Sequence, residues 1–459
     1  MKKLFKDKEF FTTILTLVIP ITLQNLISSS LNMVDNIMIG RLGENEIAAV
    51  GLVNQYFFIF MLCLSGINAG ASIFMAQYWG RRDRNSIKKV LGLDLVLGTI
   101  ASIAFAIIAL FMPEYIIKLF TREAAIINLG VQYLRIISVT FMLTNITQAF
   151  STTLRCTGAA RPPMVASLIG VATNAFLNWV FIFGNLGSTA MGVAGAALAT
   201  SLARLVEMII VLNYSYSPQS VFRTRFKEFF NFNVDFIKSY FRTSYSVILN
   251  ELVWALGMTT YSIIYAKIGI KEVASMQIAT TINNMFMVLC IGLAAAASIM
   301  VGNKIGAGEE DIAIDYAKKL GVLAPIIGVL IGLALWISAP ILTSAFKINE
   351  DTLSLTVTVL KTMAFFAPLR FFNVLMIVGI FRGGGDTTYS MLVQLGTIWC
   401  FAIPAGFIAA VYFKLSLPIV YFIVCMEELV KVGFEWSRLR SKKWIRNIIE
   451  DTEIVEVSA

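Results

Sequence analysis

The sequence predicts an all-α integral membrane protein with twelve transmembrane helices in two pseudo-symmetric six-helix lobes. Three observations predict this fold class: 58% of the 459 residues are hydrophobic, only 14% are charged, and blocks of sequence repeat between the two halves. A soluble domain has about 45–50% apolar and about 25% charged residues. The mean hydropathy of +0.77 also favours a chain that lies largely in a bilayer.

Composition also excludes several classes of function. The chain has no His, which removes Ser-His-Asp and Cys-His catalysis and His-ligated zinc or haem. Its five Cys are far apart and form no CxxC, so we interpret them as small hydrophobic residues. A soluble enzyme, a nucleic-acid-binding protein and a secreted disulfide-rich protein therefore fit poorly.

Transmembrane spans are predicted wherever about 20 mostly apolar residues follow one another. We expect no cleavable signal peptide, because the first apolar segment is long, lacks an A-x-A site and contains Gln24 and Asn25. The predicted spans run approximately 13–38, 50–77, 91–112, 131–153, 163–185, 192–215, 243–266, 277–301, 320–345, 358–381, 388–411 and 416–436.

The distribution of Lys and Arg predicts the orientation of these spans. With a cytoplasmic N-terminus, the inside connections hold 26 of the 37 basic residues and the outside connections hold 8. This excess predicts both termini in the cytoplasm and an even number of spans. The absence of a transit peptide suits the inner membrane of a bacterium.

An internal repeat relates the two halves at a nearly constant offset along the sequence, and it defines the predicted domains. Six spans per half is an even number, so the halves are parallel repeats around a central cleft, as alternating access requires. We expect an N-lobe at 1–215, a cytoplasmic linker at 216–242, a C-lobe at 243–436 and a C-terminal tail at 437–459. The matching blocks are Arg41-Leu-Gly-x-x-Glu46-Ile-Ala with Lys267-Ile-Gly-x-x-Glu272-Val-Ala, Ala71-Ser-Ile-x7-Gly80 with Ala297-Ser-Ile-x7-Gly306, and Leu154-Arg155-x-x-Gly158 with Phe381-Arg382-x-x-Gly385.

Two short motifs in the connections are interpreted as turns. We expect tight helix-to-helix turns at Gly80-Arg81-Arg82-Asp83 and around Gly306 and Gly308. Arg382-Gly-Gly-Gly-Asp386 lacks the Gly-Lys-Ser/Thr ending of a Walker A motif and follows no strand, so we reject a phosphate loop there. Since the sequence shows no ATP site, transport is expected to be passive or driven by an ion gradient.

Several motifs, in their joint order, resemble the multidrug and toxic compound extrusion (MATE) family. The resemblance covers nearly the whole chain, including the duplication. The motifs are Met33-Val-Asp35-Asn-Ile-Met-Ile-Gly40-Arg-Leu-Gly43, Ile47-Ala-Ala-Val-Gly51, Gly195-Ala-Ala-Leu-Ala-Thr200 and Arg382-Gly-Gly-Gly-Asp386-Thr387.

This resemblance implies a twelve-helix secondary exporter that is not an enzyme. Members of the family exchange H⁺ or Na⁺ for cationic or amphipathic compounds, and this chain looks similar to the DinF-like branch. The coupling ion would be the sole cofactor, and the partners would be small-molecule substrates and the lipid bilayer. We expect a monomer and no nucleic-acid partner.

Asp35 is the first candidate for ion coupling. It lies near the end of the first span, where a carboxylate is costly unless it is protonated, paired or next to water. The alternative is that Asp35 caps the helix at the outer interface, near Arg41. The resemblance favours ion coupling, because the corresponding aspartate has that role in the family.

Asn174 and Asn178 are separated by four residues in the fifth span, so both amides lie on one helix face. Their oxygens suit a hard cation, but amides equally often bond one membrane helix to another. By resemblance, both residues and Thr200 belong to the ion cluster of the N-lobe. If the ion is Na⁺, we expect Asp35, Asn174 and Asn178 to be its ligands. Some archaeal relatives have an acidic residue in place of Asn178, so the choice of ion stays open.

Glu251 and Arg370 are the candidates in the second lobe. Glu251 lies well inside the seventh span, although it could also pair with Arg242 near the cytoplasmic end. By resemblance to NorM-like members, position 370 would hold an aspartate, and Arg370 argues against a two-carboxylate sodium site there. We expect Arg370 to pair with Glu251 and to leave coupling to Asp35.

Two other functions are alternatives to the antiporter. A flippase for a lipid-linked anionic precursor would favour basic residues in the cleft, and Arg135, Arg204 and Arg370 are compatible with that. A membrane enzyme or a channel ranks last, because the sequence has no His, no Asp-rich metal motif and no pore-loop signature. The sequence does not identify the cargo.

Overall fold

The computed structural model describes residues 7–217, 228–229, 233–346 and 349–450, apart from the side chains of residues 31–33. Its regular structure is helical throughout this part of the chain, because nearly every segment between turns is a long apolar run. The helices are α1 (Lys8–Gly40), α2 (Glu44–Gly80), α3 (Arg84–Phe111), α4 (Pro113–Lys118), α5 (Ala124–Ile137), α6 (Val139–Cys156), α7 (Arg161–Phe183), α8 (Gly192–Ser215), α9 (Val234–Ile268), α10 (Ile270–Gly306), α11 (Glu310–Ser344), α12 (Glu350–Phe381), α13 (Thr387–Tyr412) and α14 (Leu417–Ser441).

The prediction of an all-α membrane protein is confirmed. Among the described residues, 10 helices are long and apolar enough to cross a membrane, and the number is 11 when α5 and α6 count as one span. The predicted fourth span is therefore broken rather than continuous, with a bend of 45° at Ser138. Ser138 Oγ donates to the carbonyl of Arg135 over 2.6 Å, a back-bond that often accompanies helix bending.

The predicted twelfth span lies in α14, which falls outside those 11 helices. It falls outside them because it contains several charged residues. These include Glu427, Glu428, Lys431 and Glu435, which are all buried. Charged side chains lower the hydropathy of a segment, but they do not stop it from spanning a bilayer when they pair with one another. The twelve predicted helices are thus present, and the last one carries an unexpected polar face.

Equivalent turns in the two halves have the same backbone conformation. Arg82 and Gly308, which occupy matching positions of the repeat, both lie in the left-handed region with φ of 63° and 75°. Gly158 and Gly385, a second matching pair, have φ of 85° and 82°. The tight turns expected from the sequence are therefore confirmed, although Arg82 rather than a glycine takes the left-handed conformation in the first half. The repeat extends to local geometry.

The chain divides into two compact units, Leu23–Tyr240 and Met1–Thr22 together with Phe241–Ala459. The division falls inside α1 and α9, so the first half of α1 belongs with the C-terminal unit. The lobe ranges inferred from the repeat place all of α1 in the N-lobe. Those ranges describe sequence equivalence and stay a prediction.

Aromatic rings form the core of the Leu23–Tyr240 unit. The Phe60 and Phe141 ring centroids are 4.8 Å apart in an edge-to-face arrangement, and Phe105 and Tyr56 pack around them. Such pairs add about 0.5–1.5 kcal/mol beyond area burial. They hold α2, α3 and α6 together within the unit that also contains the polar residues of α7 and α8.

In the other unit, α11 and α12 approach closely through small residues. A Cβ atom at Gly332 would lie 2.5 Å from the carbonyl oxygen of Ala364, and one at Gly328 would lie 2.6 Å from Cα of Pro368. Glycines four residues apart let membrane helices pack backbone against backbone. This contact fixes α12, which carries Arg370 and Asn373.

The segment after α14 folds back onto the Arg382-Gly-Gly-Gly-Asp386 turn. Trp444 is fully buried, and the backbone N–H of Arg446 donates to the carbonyl of Gly384 over 2.8 Å. Asp386 pairs with Arg438 at 2.7 Å and with Arg446 at 3.1 Å. A Cβ at Gly384 would lie 2.6 Å from Trp444, so the glycine makes room for this docked segment.

Candidate functional site

The structure brings Asp35, Asn174, Asn178 and Thr200 together in one cluster. Asp35 lies in the last turns of α1, and its Oδ1 accepts a hydrogen bond from Nδ2 of Asn178 over 2.5 Å. Thr200 lies on α8, so the cluster joins the consecutive helices α7 and α8 to α1, which is far from them in sequence. Asp35 is partly buried, which leaves it able to exchange with water.

The two asparagines are fully buried on one face of α7, as their spacing predicted. Nδ2 of Asn178 also donates to Oδ1 of Asn174 over 2.8 Å, and Nδ2 of Asn174 donates to Oγ1 of Thr200 over 3.1 Å. The hydroxyl of Tyr133, on α5, is hydrogen-bonded with Thr200 and interacts electrostatically with Asp35. A continuous chain of hydrogen bonds therefore runs from Asp35 across α7 to α8 and α5.

A second carboxylate lies close to this cluster and was missed from the sequence. Glu207 on α8 is 6% exposed and pairs with Arg204 Nη1 at 2.8 Å. Its Oε1 accepts from Ser167 Oγ at 2.6 Å, and Ser167 accepts from Nε2 of Gln24 at 3.2 Å. Opposite charges three residues apart in an apolar span were the signal that sequence reasoning overlooked.

A cleft opens beside the cluster within the same unit. It is lined by polar side chains and by Gly170, where an added Cβ would lie 3.4 Å from Cβ of Glu207. Arg204 interacts electrostatically with Asp35 as well as with Glu207. The polar side chains lining the cleft are Ser28, Ser167, Asn174, Thr200, Arg204 and Glu207.

The orientation of the amides bears on the predicted cation ligands. The nitrogen of Asn178 faces Asp35, whereas a sodium ion is coordinated by oxygen atoms. The described residues contain no group of three His, Cys, Asp or Glu that could hold a metal. A site made of Asp35, Asn174 and Asn178 would therefore require a turned amide, and it stays a prediction.

In the C-terminal unit, the predicted pairing of Arg370 with Glu251 is wrong. Nε of Arg370 lies 3.2 Å from Oε1 of Glu428, and Glu251 pairs instead with Arg382 at 2.7 Å. Arg370 and Glu251 each have a closer, buried counter-ion. Glu428 on α14 lies next to Arg370, and Arg382 in the turn after α12 lies next to Glu251, which sequence spacing does not reveal. The two candidates therefore belong to separate ion pairs.

Arg370 belongs to a network of buried charges centred on α14. Nζ of Lys431 lies 3.1 Å from Glu427 and 3.9 Å from Glu428, and Nδ2 of Asn373 donates to Glu428 over 2.7 Å. The hydroxyl of Tyr261 donates to Glu427 over 3.0 Å. Two acids and two bases thus compensate each other and join α9, α12 and α14.

Two further buried carboxylates were overlooked in the sequence. Glu435, one turn after Lys431, and Asp94, in α3, are 0% and 1% exposed. Neither Glu435 nor Asp94 has a hydrogen-bond partner for its carboxylate oxygens within the described part of the chain. The spacing of Glu427, Glu428, Lys431 and Glu435 along one helical face was a readable signal in the sequence.

The chain matches known proteins over most of its length. A profile of the MatE family matches residues 20–180 and 246–430, one stretch in each half. The chain is 24% identical to the probable multidrug resistance protein NorM of Thermotoga maritima over 407 residues, which are 88% of this chain and 86% of that protein.

Further matches agree with this one. The multidrug resistance protein NorM of Vibrio cholerae is 22% identical over 409 residues, covering 87% of this chain and 88% of the relative. A solved structure, the outward-facing conformation of a multidrug resistance MATE family transporter of the MOP superfamily, superposes with a TM-score of 0.84. It is 22% identical and covers 95% of this chain and 96% of its own, so it establishes likeness of fold.

Proposed function

The chain belongs to the MatE family of membrane transporters, and on that premise we propose that it is a secondary antiporter that exports cationic or amphipathic compounds. The relatives named above are multidrug resistance proteins, which supports drug-like cargo. The observation that carries the proposal is the hydrogen bond between Asp35 and Asn178, beside a polar cleft. A carboxylate held there can take up and release a cation as the cleft opens to either side.

We propose H⁺ as the coupling ion. Asp35 faces an amide nitrogen of Asn178 and interacts with the guanidinium of Arg204. A sodium ion needs several oxygen ligands, and the amide nitrogen that Asn178 turns toward Asp35 does not supply one. A proton needs one carboxylate oxygen and no coordination shell.

The excess of Lys and Arg in the inside connections supports an inner-membrane location with both termini in the cytoplasm. A monomer is sufficient for the proposed mechanism, because the cluster and the cleft lie within one unit of one chain. The assignment to the DinF-like branch stays a prediction.

The test uses purified protein in proteoliposomes with ethidium as cargo. A proton gradient and a sodium gradient are imposed separately on wild type, Asp35→Asn and Asp351→Asn. Asp351 is a matched control, since its side chain is 86% exposed and lies at the start of α12.

We expect the proton gradient to move dye against its own gradient in wild type and in Asp351→Asn, but not in Asp35→Asn. Transport driven by the sodium gradient alone would overturn the choice of ion. Absence of any ion-driven movement by folded wild type would overturn the antiporter.

A further inference from the structure

The ion pair of Arg204 and Glu207 lines the cleft where α8 packs against α7. Ser167 also lines the cleft, and Gly170 lets α7 approach Glu207, since an added Cβ there would lie 3.4 Å from Cβ of Glu207. The side chain of Glu207 is 8% exposed, whereas that of Arg204 is 25% exposed. The carboxylate is thus held in place, and the guanidinium has room to move.

Arg204 also interacts with both carboxylates of the site. Thr200, Arg204 and Glu207 follow at intervals of four and three residues on one face of α8, and Thr200 is bonded to the Asp35 cluster through Asn174. Arg204 interacts electrostatically with Asp35 while it is hydrogen-bonded to Glu207. A rotamer change of this one long side chain would transfer its charge from one acid to the other.

The charged groups of the site determine what a movement of Arg204 between the two acids would change. Its charged groups are Asp35 on α1 and Arg204 and Glu207 on α8. Among the described side chains, the other titratable group of the site is Tyr133 on α5, and α7 contributes the uncharged Ser167, Asn174 and Asn178. With both acids ionised, the two negative charges and the one positive charge leave the site with one net negative charge. One additional monovalent cation, either a proton or a cargo molecule, restores neutrality.

We propose that Glu207 is the carboxylate that binds the cationic part of the cargo, and that Arg204 alternates between Glu207 and Asp35. This inference rests on the proposed antiport. When Asp35 is ionised, Arg204 pairs with it, and Glu207 is free to bind the cargo cation. When an external proton adds to a carboxylate oxygen of Asp35, Arg204 returns to Glu207 and displaces the cargo.

The exchange then balances at one proton for one monovalent cation. No bond other than the O–H bond at Asp35 forms or breaks, and Arg204 stays protonated throughout. The structure corresponds to the state in which Arg204 is paired with Glu207 at 2.8 Å. Exchange of one positive charge for another is electroneutral, so a transmembrane voltage would not drive it.

The test measures binding of tetraphenylphosphonium, a monovalent lipophilic cation, to the purified full-length protein by isothermal titration calorimetry. Wild type, Glu207→Gln, Arg204→Gln and Glu350→Gln are compared between pH 5 and 8. Glu350 is the matched control, as an exposed residue at the start of α12.

Glu207→Gln is expected to bind the cation at least about tenfold more weakly, which corresponds to about 1.4 kcal/mol. Arg204→Gln is expected to bind it more tightly than wild type, because the competing internal cation is gone. Glu350→Gln should match wild type. Unchanged affinity in a folded Glu207→Gln would overturn the proposal, and so would weaker binding in Arg204→Gln. If Glu207→Gln does not fold, the affinity of Arg204→Gln alone is the test.

Transport separates this inference from the antiport on which it rests. If wild type exchanges ethidium for protons and Glu207→Gln does so equally well, the role of Glu207 is wrong and the antiport survives. If wild type binds the cation but exchanges none for protons, the antiport itself fails. With a fixed pH gradient, a potassium–valinomycin potential should leave the initial rate of exchange unchanged, and acceleration by an inside-negative potential would refute one-for-one exchange.

Discussion

Asp35 and Asn178 are 143 residues apart in the chain, and their side chains meet at 2.5 Å through a hydrogen bond donated by the amide. This contact connects the end of α1 to α7. It gives the carboxylate a fixed partner whose amide nitrogen is also bonded to Asn174. A path of hydrogen bonds therefore links Asp35 to α7 and, through Asn174 and Thr200, to α8.

Replacement of Asn178 by Leu tests this connection. The change removes the donor to Asp35 and leaves Oδ1 of Asn174 without its partner, while side-chain volume is kept roughly constant. Because a hydrogen bond to a charged group contributes about 1.5–3 kcal/mol, we expect proton-driven ethidium transport to fall by about tenfold or more. The initial rate in proteoliposomes measures this, and Asn85→Leu, exposed at the start of α3, should transport normally.

The ion pair between Arg370 and Glu428 should contribute to folding rather than to transport specificity. Arg370→Met leaves Glu428 next to Lys431 and Asn373 but removes its principal counter-ion, at a cost of about 3 kcal/mol in the free energy of unfolding. Thermal unfolding in detergent should show the loss. The double variant Arg370→Met with Glu428→Met should recover much of it, and an equally unstable double variant would show that the pair is not the cause.

The contact of Asp7 with Lys319 should make stability depend on pH. The hydrogen bond from Nζ of Lys319 holds the pKa of the Asp7 carboxyl below its usual range. A carboxyl whose pKa is lower in the folded state stabilises the fold above its unfolded pKa, and this contribution disappears as the pH falls through the folded pKa.

We therefore expect Asp7→Asn to unfold at a lower temperature than wild type at pH 7, and the difference to shrink as the pH falls below about 4. Melting curves between pH 7 and pH 3 provide the measurement. Asp351→Asn serves as the control, and a difference that is as large at pH 3 as at pH 7 would mean that Asp7 acts through packing rather than through its charge.

Packing between α11 and α12 predicts the effect of a single added methyl group. Gly332→Ala places Cβ 2.5 Å from the backbone oxygen of Ala364, so the helices must separate, and overpacking of this kind costs about 1–3 kcal/mol. Gly396→Ala on α13 is the matched control, since nothing lies within 4 Å of its Cβ. The melting temperature should fall for Gly332→Ala and stay unchanged or rise for the control.

The docked segment after α14 should detach when its buried anchor is neutralised. Asp386→Asn removes one charge from two ion pairs, with Arg438 and Arg446, at a fully buried position. We expect faster cleavage by trypsin after Lys442 and Lys443 than in wild type, followed by mass spectrometry of the released peptides. Equal cleavage rates in the two proteins would show that the ion pairs of Asp386 do not hold the segment.

Sequence reasoning succeeded where a pattern was local. The apolar runs located every span, and the spacing of Asn174 and Asn178 placed both amides on one face of α7. The nearly constant offset between the two halves is matched by paired backbone conformations such as those of Arg82 and Gly308. These features depend on helical periodicity and on turn geometry within a few residues.

The errors concern charged residues inside spans. Glu207, Glu427, Glu428 and Glu435 lie inside the predicted sixth and twelfth spans, and they were overlooked because a search for long apolar segments averages over single charges. The pairing of Arg370 with Glu251 was wrong because the sequence does not reveal that α14 brings Glu428 next to α12. Ion pairs in a bilayer form between charged residues of neighbouring helices, and the packing of the helices determines which of them are neighbours.

The sequence by itself determined the class of protein, the number of spans, the duplication and the polar residues of α1 and α7, since each follows from composition or from helical periodicity. The tertiary structure decided which charges compensate one another. A buried charge needs a partner within a few ångströms, and that partner is supplied by helices that meet only after the chain has folded. For that reason Asp35 was recognisable from the sequence, whereas the pairing of Arg370 with Glu428 emerged from the fold.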